Sequence, residues 1–364
     1  MKLTGKHGYQ TGFTLVEMMV GLVIGMLVTL VIVQVLSVFE AQKRSSTGSA
    51  DAQTNGSIAL YKISREMQNA GYPLMPYANS ALECGKNGEV YREGTSISWK
   101  DISPVTIVDG GSTGGSDTIT IRYGTNSAGG VPTIIGASPV GNVITLGSLD
   151  SPGSNLGCAV NDISLIVSTT HCAFSTVKAL SSATTPPTIT LANVTAAKAE
   201  ANLACLGSWN EVVYAVSSGK LQRAGVDSID DIVSIQAQYG TTSANLTNTN
   251  ANFNQVVDWY DATAGSNWDW ASGSFNLARR NRIKAIRIAI VARNAKKEIS
   301  KVTAACSSLT SARPTGLCAW AGSAADPAPK IDLSLTDSNW EYYRYRVFET
   351  IIPLRNVFWA KDTL

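Results

Sequence analysis

Charge is scarce in this chain. Of its 364 residues only 15% are charged, against the usual quarter, while 44% are hydrophobic. That balance excludes a chain disordered throughout, because such chains are rich in charge and poor in apolar residues. Neither sign dominates: 29 Lys and Arg against 27 Asp and Glu leave +2, too little for a whole-chain grip on nucleic acid. Histidine is nearly absent, with only His7 and His171, which leaves little for His-based catalysis or a multi-His metal site. The cysteines Cys84, Cys158, Cys172, Cys205, Cys306 and Cys318 include no Cys-x-x-Cys pair. Disulfides in an oxidising compartment suit them better than zinc. The length suffices for one large domain or two ordinary ones.

What the chain does have is one long apolar run. FTLVEMMVGLVIGMLVTLVIVQVLSVF, from Phe13 to Phe39, holds a single charge, Glu17. As a helix it spans roughly 40 Å, more than the ~30 Å hydrocarbon core of a bilayer. A cleavable secretory signal fits less well, since its apolar stretch is shorter and ends in an Ala-x-Ala-like site. Lys2 and Lys6 precede the run and Lys43 and Arg44 follow it, so basic residues do not set its orientation. A carboxylate near the end of a membrane helix costs about 2–3 kcal/mol or more and demands a partner. A cut between Gly12 and Phe13 would supply one, a new α-amine one turn before Glu17 or on a neighbouring copy.

Gly12-Phe13-Thr14-Leu15-Val16-Glu17 resembles the type III signal of type IV prepilins and type II secretion pseudopilins. The resemblance implies cleavage after Gly12 by a prepilin peptidase, N-methylation of Phe13 by the same enzyme, and a filament-docking role for Glu17. Gly21 and Gly25 form a Gly-x-x-x-Gly pair that permits close helix approach in lipid, and join Glu17 as filament-packing residues. Downstream, Ile58–Tyr72, Ser116–Gly124, Ile232–Gly240 and Tyr343–Asn356 resemble stretches of the PilW group of minor pilins, in the same order.

The helix is expected to continue past the membrane. Residues 40–57 are polar and small, with Gly48 and Gly56 weakening them. From Ile58, apolar positions return at Leu60, Ile63, Met67 and Ala70, with spacings of three, four and three, and Gly71 followed by Pro73 is a stop. Beyond Pro76 the period becomes two. Ile119, Ile121 and Tyr123 alternate with Thr118, Thr120 and Arg122; Val233, Ile235, Ala237 and Tyr239 alternate with Ser234, Gln236 and Gln238. Ile286, Ile288 and Ile290 face away from Arg287 and two alanines, and Tyr343, Tyr345 and Val347 form one face of a last strand. Shorter strands are expected at Val143–Leu146, Ile163–Val167, Thr188–Leu191 and Val212–Val216. No helical pattern separates the strands, so the class is α+β: a long pilin helix, transmembrane in its first half, packed on an antiparallel β head. The organisation expected is a leader 1–12, a membrane half 13–39, a periplasmic helix half 40–72, and a head 73–364, with two sub-lobes sharing one sheet.

Several constellations have blander readings that outweigh the chemical ones. Gly110-Gly111-Ser112-Thr113-Gly114 matches Gly-x-Ser-x-Gly, but a strand follows it where a nucleophile elbow needs a helix, so it is a turn. Cys172 beside His171 belongs to a disulfide, with pairings Cys158–Cys172, Cys306–Cys318 and Cys84–Cys205 expected. Phe253, Trp259, Tyr260, Trp268 and Trp270, with Asp258, Asp261 and Asp269, are expected to tie down a loop; a glycan or protein ligand is the rival. Residues 241–278 contain no Lys or Arg, which disfavours nucleic acid. Much of the basic run Arg279, Arg280, Arg282, Lys284 and Arg287 is expected on the solvent face of a strand; an acidic partner surface is the rival, with DNA behind it. Asp227, Asp230 and Asp231 lack the spacing of a calcium loop.

No catalytic residue, cofactor or metal is therefore expected. The resemblance implies a structural minor pilin that takes part in type IV pilus assembly, in the priming complex and at or near the tip. Its partners would be other minor pilins, the major pilin, the prepilin peptidase/N-methyltransferase and the inner membrane, with a pilus-tip adhesin a further candidate and no nucleic acid. It would sit in the inner membrane with a periplasmic head, then in the pilus. Two rivals stand: a J-type minor pseudopilin of type II secretion, and a membrane-anchored periplasmic enzyme or receptor.

Overall fold

The computed structural model describes residues 12–74, 89–111, 113–128, 130–147, 157–169, 171–181, 186–243, 255–270 and 277–358. Residues 1–11 of the leader, Cys84, Ser112 and Phe253 lie outside them. Two compact units divide the chain, residues 1–51 and residues 52–364. Helix α1 (Leu15–Met67) supplies most of the first unit and the opening of the second. It runs through Gly48 and Gly56 without a break, and turns over 68–74 follow it.

Seventeen strands follow among the described residues. They begin with β1 (Glu89–Arg92), β2 (Thr95–Ile97), β3 (Val105–Val108), β4 (Thr118–Tyr123), β5 (Thr133–Ile134) and β6 (Val143–Thr145). Next come β7 (Ile163–Val167), β8 (His171–Ser181), β9 (Thr188–Leu191), β10 (Asn202–Gly207), β11 (Asn210–Ser217) and β12 (Lys220–Arg223). The last are β13 (Val226–Asp230), β14 (Ile232–Thr241), β15 (Asp258–Tyr260), β16 (Ile283–Arg293) and β17 (Tyr345–Pro353). Short helices α2 (Leu277–Arg282) and α3 (Arg355–Phe358) flank the last two strands.

The strands form three sheets, where one shared sheet was expected. An eight-stranded sheet runs β2-β1-β8-β7-β10-β5, with β9 joining β8 to β6. A five-stranded sheet is ordered β13-β12-β11-β4-β3 and a four-stranded sheet β15-β14-β16-β17. Pairing is antiparallel except between β1 and β8. The β11–β12 and β12–β13 turns place Ser218-Gly219 and Ala224-Gly225 at positive φ, the two-residue turn whose twist matches the flanking strands.

The second unit's share of α1 lies against both smaller sheets in one core. Its buried stripe is Ala52, Ala59, Ile63, Met67 and, just past the helix, Ala70. Leu60, expected in that stripe, is partly buried and packs against the same core, while Ile58, where the apolar pattern begins, is 43% exposed. Gly56 completes the buried face, because a Cβ there would meet the Phe348 ring of β17 at 2.1 Å. The glycine that weakens the helix as a local structure lets a strand approach it.

Glu66 locks this helix end to the five-stranded sheet. Its carboxylate, on a residue only 8% exposed, accepts hydrogen bonds from the Tyr214 and Tyr123 hydroxyls and from the Arg223 guanidinium. Burial opposes ionisation and is the largest single influence. The donors from Arg223, Tyr214 and Tyr123 together outweigh it and hold the carboxyl below its usual range. Asn55 and Lys62 add hydrogen bonds to Asp230 and Ser228 of β13.

Alternation predicts one wet face for β4 and β16, and neither strand has one. Thr120 and Arg122 are buried alongside Ile119 and Ile121, with Arg122 donating to Glu211 of β11. In β16, Ile286, Ile288 and Ile290 face the α1 core, while Ala289 and Val291 join a further core with Leu317, Trp320, Ile331 and Leu333. The segment between β16 and β17 folds back over that face. This corrects the reading of the basic run. Lys284 is 1% exposed, Arg280 is buried, and the Arg287 guanidinium stacks 4.3 Å from the Trp320 ring centroid. Tyr343 lies before β17 rather than in it.

Candidate processing and assembly site

At the N-terminal end of the first unit, Gly12, Phe13 and Thr14 are non-helical and exposed, and the helix starts at Leu15. Thr14 and Glu17 satisfy each other. The Thr14 N–H and hydroxyl both donate to the Glu17 carboxylate at 3.0 Å, and the Glu17 N–H donates to the Thr14 hydroxyl at 3.2 Å. This is a capping box, Thr-x-x-Glu, which occupies two backbone donors that no helical carbonyl can reach. In the uncut chain Glu17 therefore has a partner three residues away. The sequence reading sought that partner in an α-amine and overlooked Thr14, although Thr-x-x-Glu before an apolar run is a readable signal.

Leu15–Glu40 follows as 26 residues of mean hydropathy 2.7, with none of its hydrophobic window buried. At ~1.5 Å per residue it is about 39 Å long, enough to cross a bilayer. Two of its hydroxyls are satisfied within the helix: Thr29 donates to the Met26 carbonyl and Ser37 to that of Gln34. Gly21 and Gly25, one turn apart, have open space where a Cβ would stand. The pair is a notch in an otherwise bulky helix surface, of the kind that admits a second helix closely.

In the head, the constellations with chemical readings are absorbed into structure. Cys306 is joined to Cys318, the local bridge expected. Cys158 is joined to Cys205, which overturns the Cys158–Cys172 and Cys84–Cys205 pairings. The reason is the eight-stranded sheet. Cys158 and Cys205 share a core on one face with Ile166 and Leu203, while Cys172 lies with Leu165, Val167 and Phe174 on the other. Cys172 is itself disulfide-bonded, so its thiol is no nucleophile beside His171. His171 Nε2 stands 3.7 Å from the Glu89 carboxylate, its ring against Tyr91. Trp268 and Trp270 enter the α1 core, with Tyr260 stacked on Trp268 at 4.7 Å and Trp270 donating to the buried Tyr239 hydroxyl. Asp227 and Asp230 pair with Lys220. Among the described residues, no group of three or more His, Cys, Asp or Glu is placed to hold a metal ion.

Comparison with known families agrees with this division of labour. Residues 8–33 match the prokaryotic N-terminal methylation motif, which spans the Gly12-Phe13 junction, the capping box and both glycines. The chain is thus a prepilin-type protein, with one apolar N-terminal helix and a β-rich head. Residues 211–356, from β11 to α3, match type IV pilus-assembly protein W. Together the two matches support a minor-pilin role in type IV pilus assembly, with the PilW region in the head. No curated protein and no solved structure matches it.

Proposed function

We propose that this minor pilin acts in the priming complex that starts the pilus and stays at or near the tip, as a structural, non-catalytic subunit. The observation that carries the reading is an uncovered apolar helix directly after a methylation-motif junction, followed by a head with the PilW region. Prepilin peptidase cuts between Gly12 and Phe13 and methylates Phe13. Glu17, Gly21 and Gly25 then pack the helix among those of other minor pilins and the major pilin. Until assembly, the helix holds the protein in the inner membrane with the head in the periplasm. Contacts in the head that resemble catalytic motifs on paper are turns, a disulfide and core packing, which supports a non-enzymatic role.

Deletion of the protein should reduce surface pili, with restoration by the wild-type chain. Mass spectrometry of the membrane-extracted protein should show a chain starting at N-methyl-Phe13. A mature chain that retains residues 1–12 in a strain with active peptidase would sink the processing assignment. Normal pili with lost type II secretion in the deletion strain would replace this reading with the pseudopilin one.

A further inference from the structure

The end of the head where α1 enters is marked by three contacts. Asn55 donates to the Asp230 carbonyl of β13, Gly56 backs onto Phe348 of β17, and the Arg293 N–H donates to the Asp231 carbonyl. β16 therefore runs toward this end and leaves the sheet there, where the Asn294 N–H donates to the Arg344 carbonyl just outside the β16–β17 ladder. The loop that follows is anchored twice on one segment. The Glu298 N–H donates to the Tyr342 carbonyl, and the Val302 and Thr303 N–H groups both donate to the Glu341 carbonyl, at 2.8–3.0 Å. Between the anchors Ile299, Ser300 and Lys301 form a three-residue tip at this end of the head.

Ile299 is fully exposed, and Val302 beside the tip is 37% exposed. Single exposed aliphatics are ordinary, but this one is held among cations. Lys296, Lys297 and Lys301 flank it in the chain. Lys297 donates to the Asn339 side chain at 2.8 Å and lies 5.1 Å from the Tyr342 ring centroid, and Lys301 pairs with Glu341. Over residues 293–302 and 337–344, five basic side chains against three acidic ones leave a surplus of +2. Each acid is matched: Glu298 by Arg344, Asp337 by Arg293 and Glu341 by Lys301. Asp227 and Asp230 of β13 are matched by Lys220. An exposed aliphatic flanked by lysines suits an anionic bilayer surface, where the side chain enters the acyl boundary and the ammonium groups meet the headgroups. A soluble anion would use the lysines and leave Ile299 in water.

We propose that the Ile299 tip docks on the anionic surface of the membrane that anchors the chain, and holds this end of the head there before assembly. The inference rests on the membrane-anchored reading given above. The chain itself puts that surface within reach. Ala52, where the second unit begins, follows Glu40, the end of the apolar segment, by twelve residues, about 18 Å as helix. A surface tethered so closely is met at high effective concentration, so a contact of one aliphatic and three lysines suffices.

The test uses the full chain in nanodiscs, either of phosphatidylcholine alone or of phosphatidylcholine mixed with phosphatidylglycerol. Ile299→Cys gives a labelling site, since no cysteine among the described residues is free, and the apolar ring of a spin label stands in for the isoleucine. In the anionic discs the label should become less open to a water-soluble nickel chelate and more open to oxygen, and molar salt should reverse the change. Each lysine near such a surface is worth about fivefold in the contact equilibrium, so replacing Lys296, Lys297 and Lys301 by Gln should weaken it about a hundredfold and return the label to water. Incorporation into the discs is measured separately, and a chain that fails to enter them sinks the anchoring reading. An incorporated chain whose label is equally open to the chelate in both lipids overturns the tip, as does protection that survives loss of the three lysines. Protection that appears only when a second pilin is added also overturns it and assigns the surface to a protein.

Discussion

Glu66→Ala is the sharpest test of how the head grips its helix. The substitution leaves the Tyr214 hydroxyl buried without an acceptor and the Tyr123 hydroxyl partly so. A stranded buried donor costs about 1–3 kcal/mol. Arg223 is 45% exposed on its side chain, so water replaces most of what it loses and its share is discounted. The sum is a loss of about 2–4 kcal/mol, a large fraction of the ~5–15 kcal/mol that holds a typical domain. Glu66→Gln keeps an acceptor and removes the charge, so a smaller loss of about 1–2 kcal/mol is expected. The pH dependence separates the two effects. Because the folded carboxyl is held below its usual range, its contribution is present above the unfolded pKa and is lost as pH falls through the folded value. The gap between wild type and Glu66→Gln should therefore be full at neutral pH and close at strongly acid pH, in denaturant melts of the full chain in micelles. An alanine variant within about 0.5 kcal/mol of wild type at neutral pH would refute the reasoning, since surface changes commonly fall in that range.

Gly56→Ala should destabilise despite a gain of roughly 1 kcal/mol in helix propensity, because its Cβ would stand inside the Phe348 ring. In a double-mutant cycle Phe348→Ala should relieve that cost; strictly additive effects would refute the contact. Non-reducing peptide mapping should join Cys158 to Cys205 and not to Cys172. Opening that 47-residue loop by Cys205→Ser should cost roughly 4 kcal/mol in the chain-entropy model, and a melt unchanged by the substitution would contradict it. Thr14→Val removes the hydroxyl that Glu17 uses, and circular dichroism of a residue 12–33 peptide in micelles should show a frayed first turn that Thr14→Ser does not.

The sequence by itself determined everything that depends on near neighbours along the chain. The apolar run from Phe13, the Gly12-Phe13 junction and the short apolar runs at Ile163–Val167 and Thr188–Leu191 need only local pattern, and the structure places strands at those two runs. The short bridge Cys306–Cys318 belongs here too, because twelve residues bring the cysteines together with little help. What faces what was decided only by tertiary structure. Period two says that successive side chains point to opposite sides, but not that both sides of β16 are covered, since its second cover comes from residues 317–333. For the same reason a run of arginines and lysines read as wet, although Lys284 and Arg280 are buried. Nor could cysteine spacing show that a sheet stands between Cys158 and Cys172. The Glu66 lock gathers residues far apart in sequence, each unremarkable where it stands in the chain. Their chemistry arises from burial and from one another, and exists only once the sheets have closed.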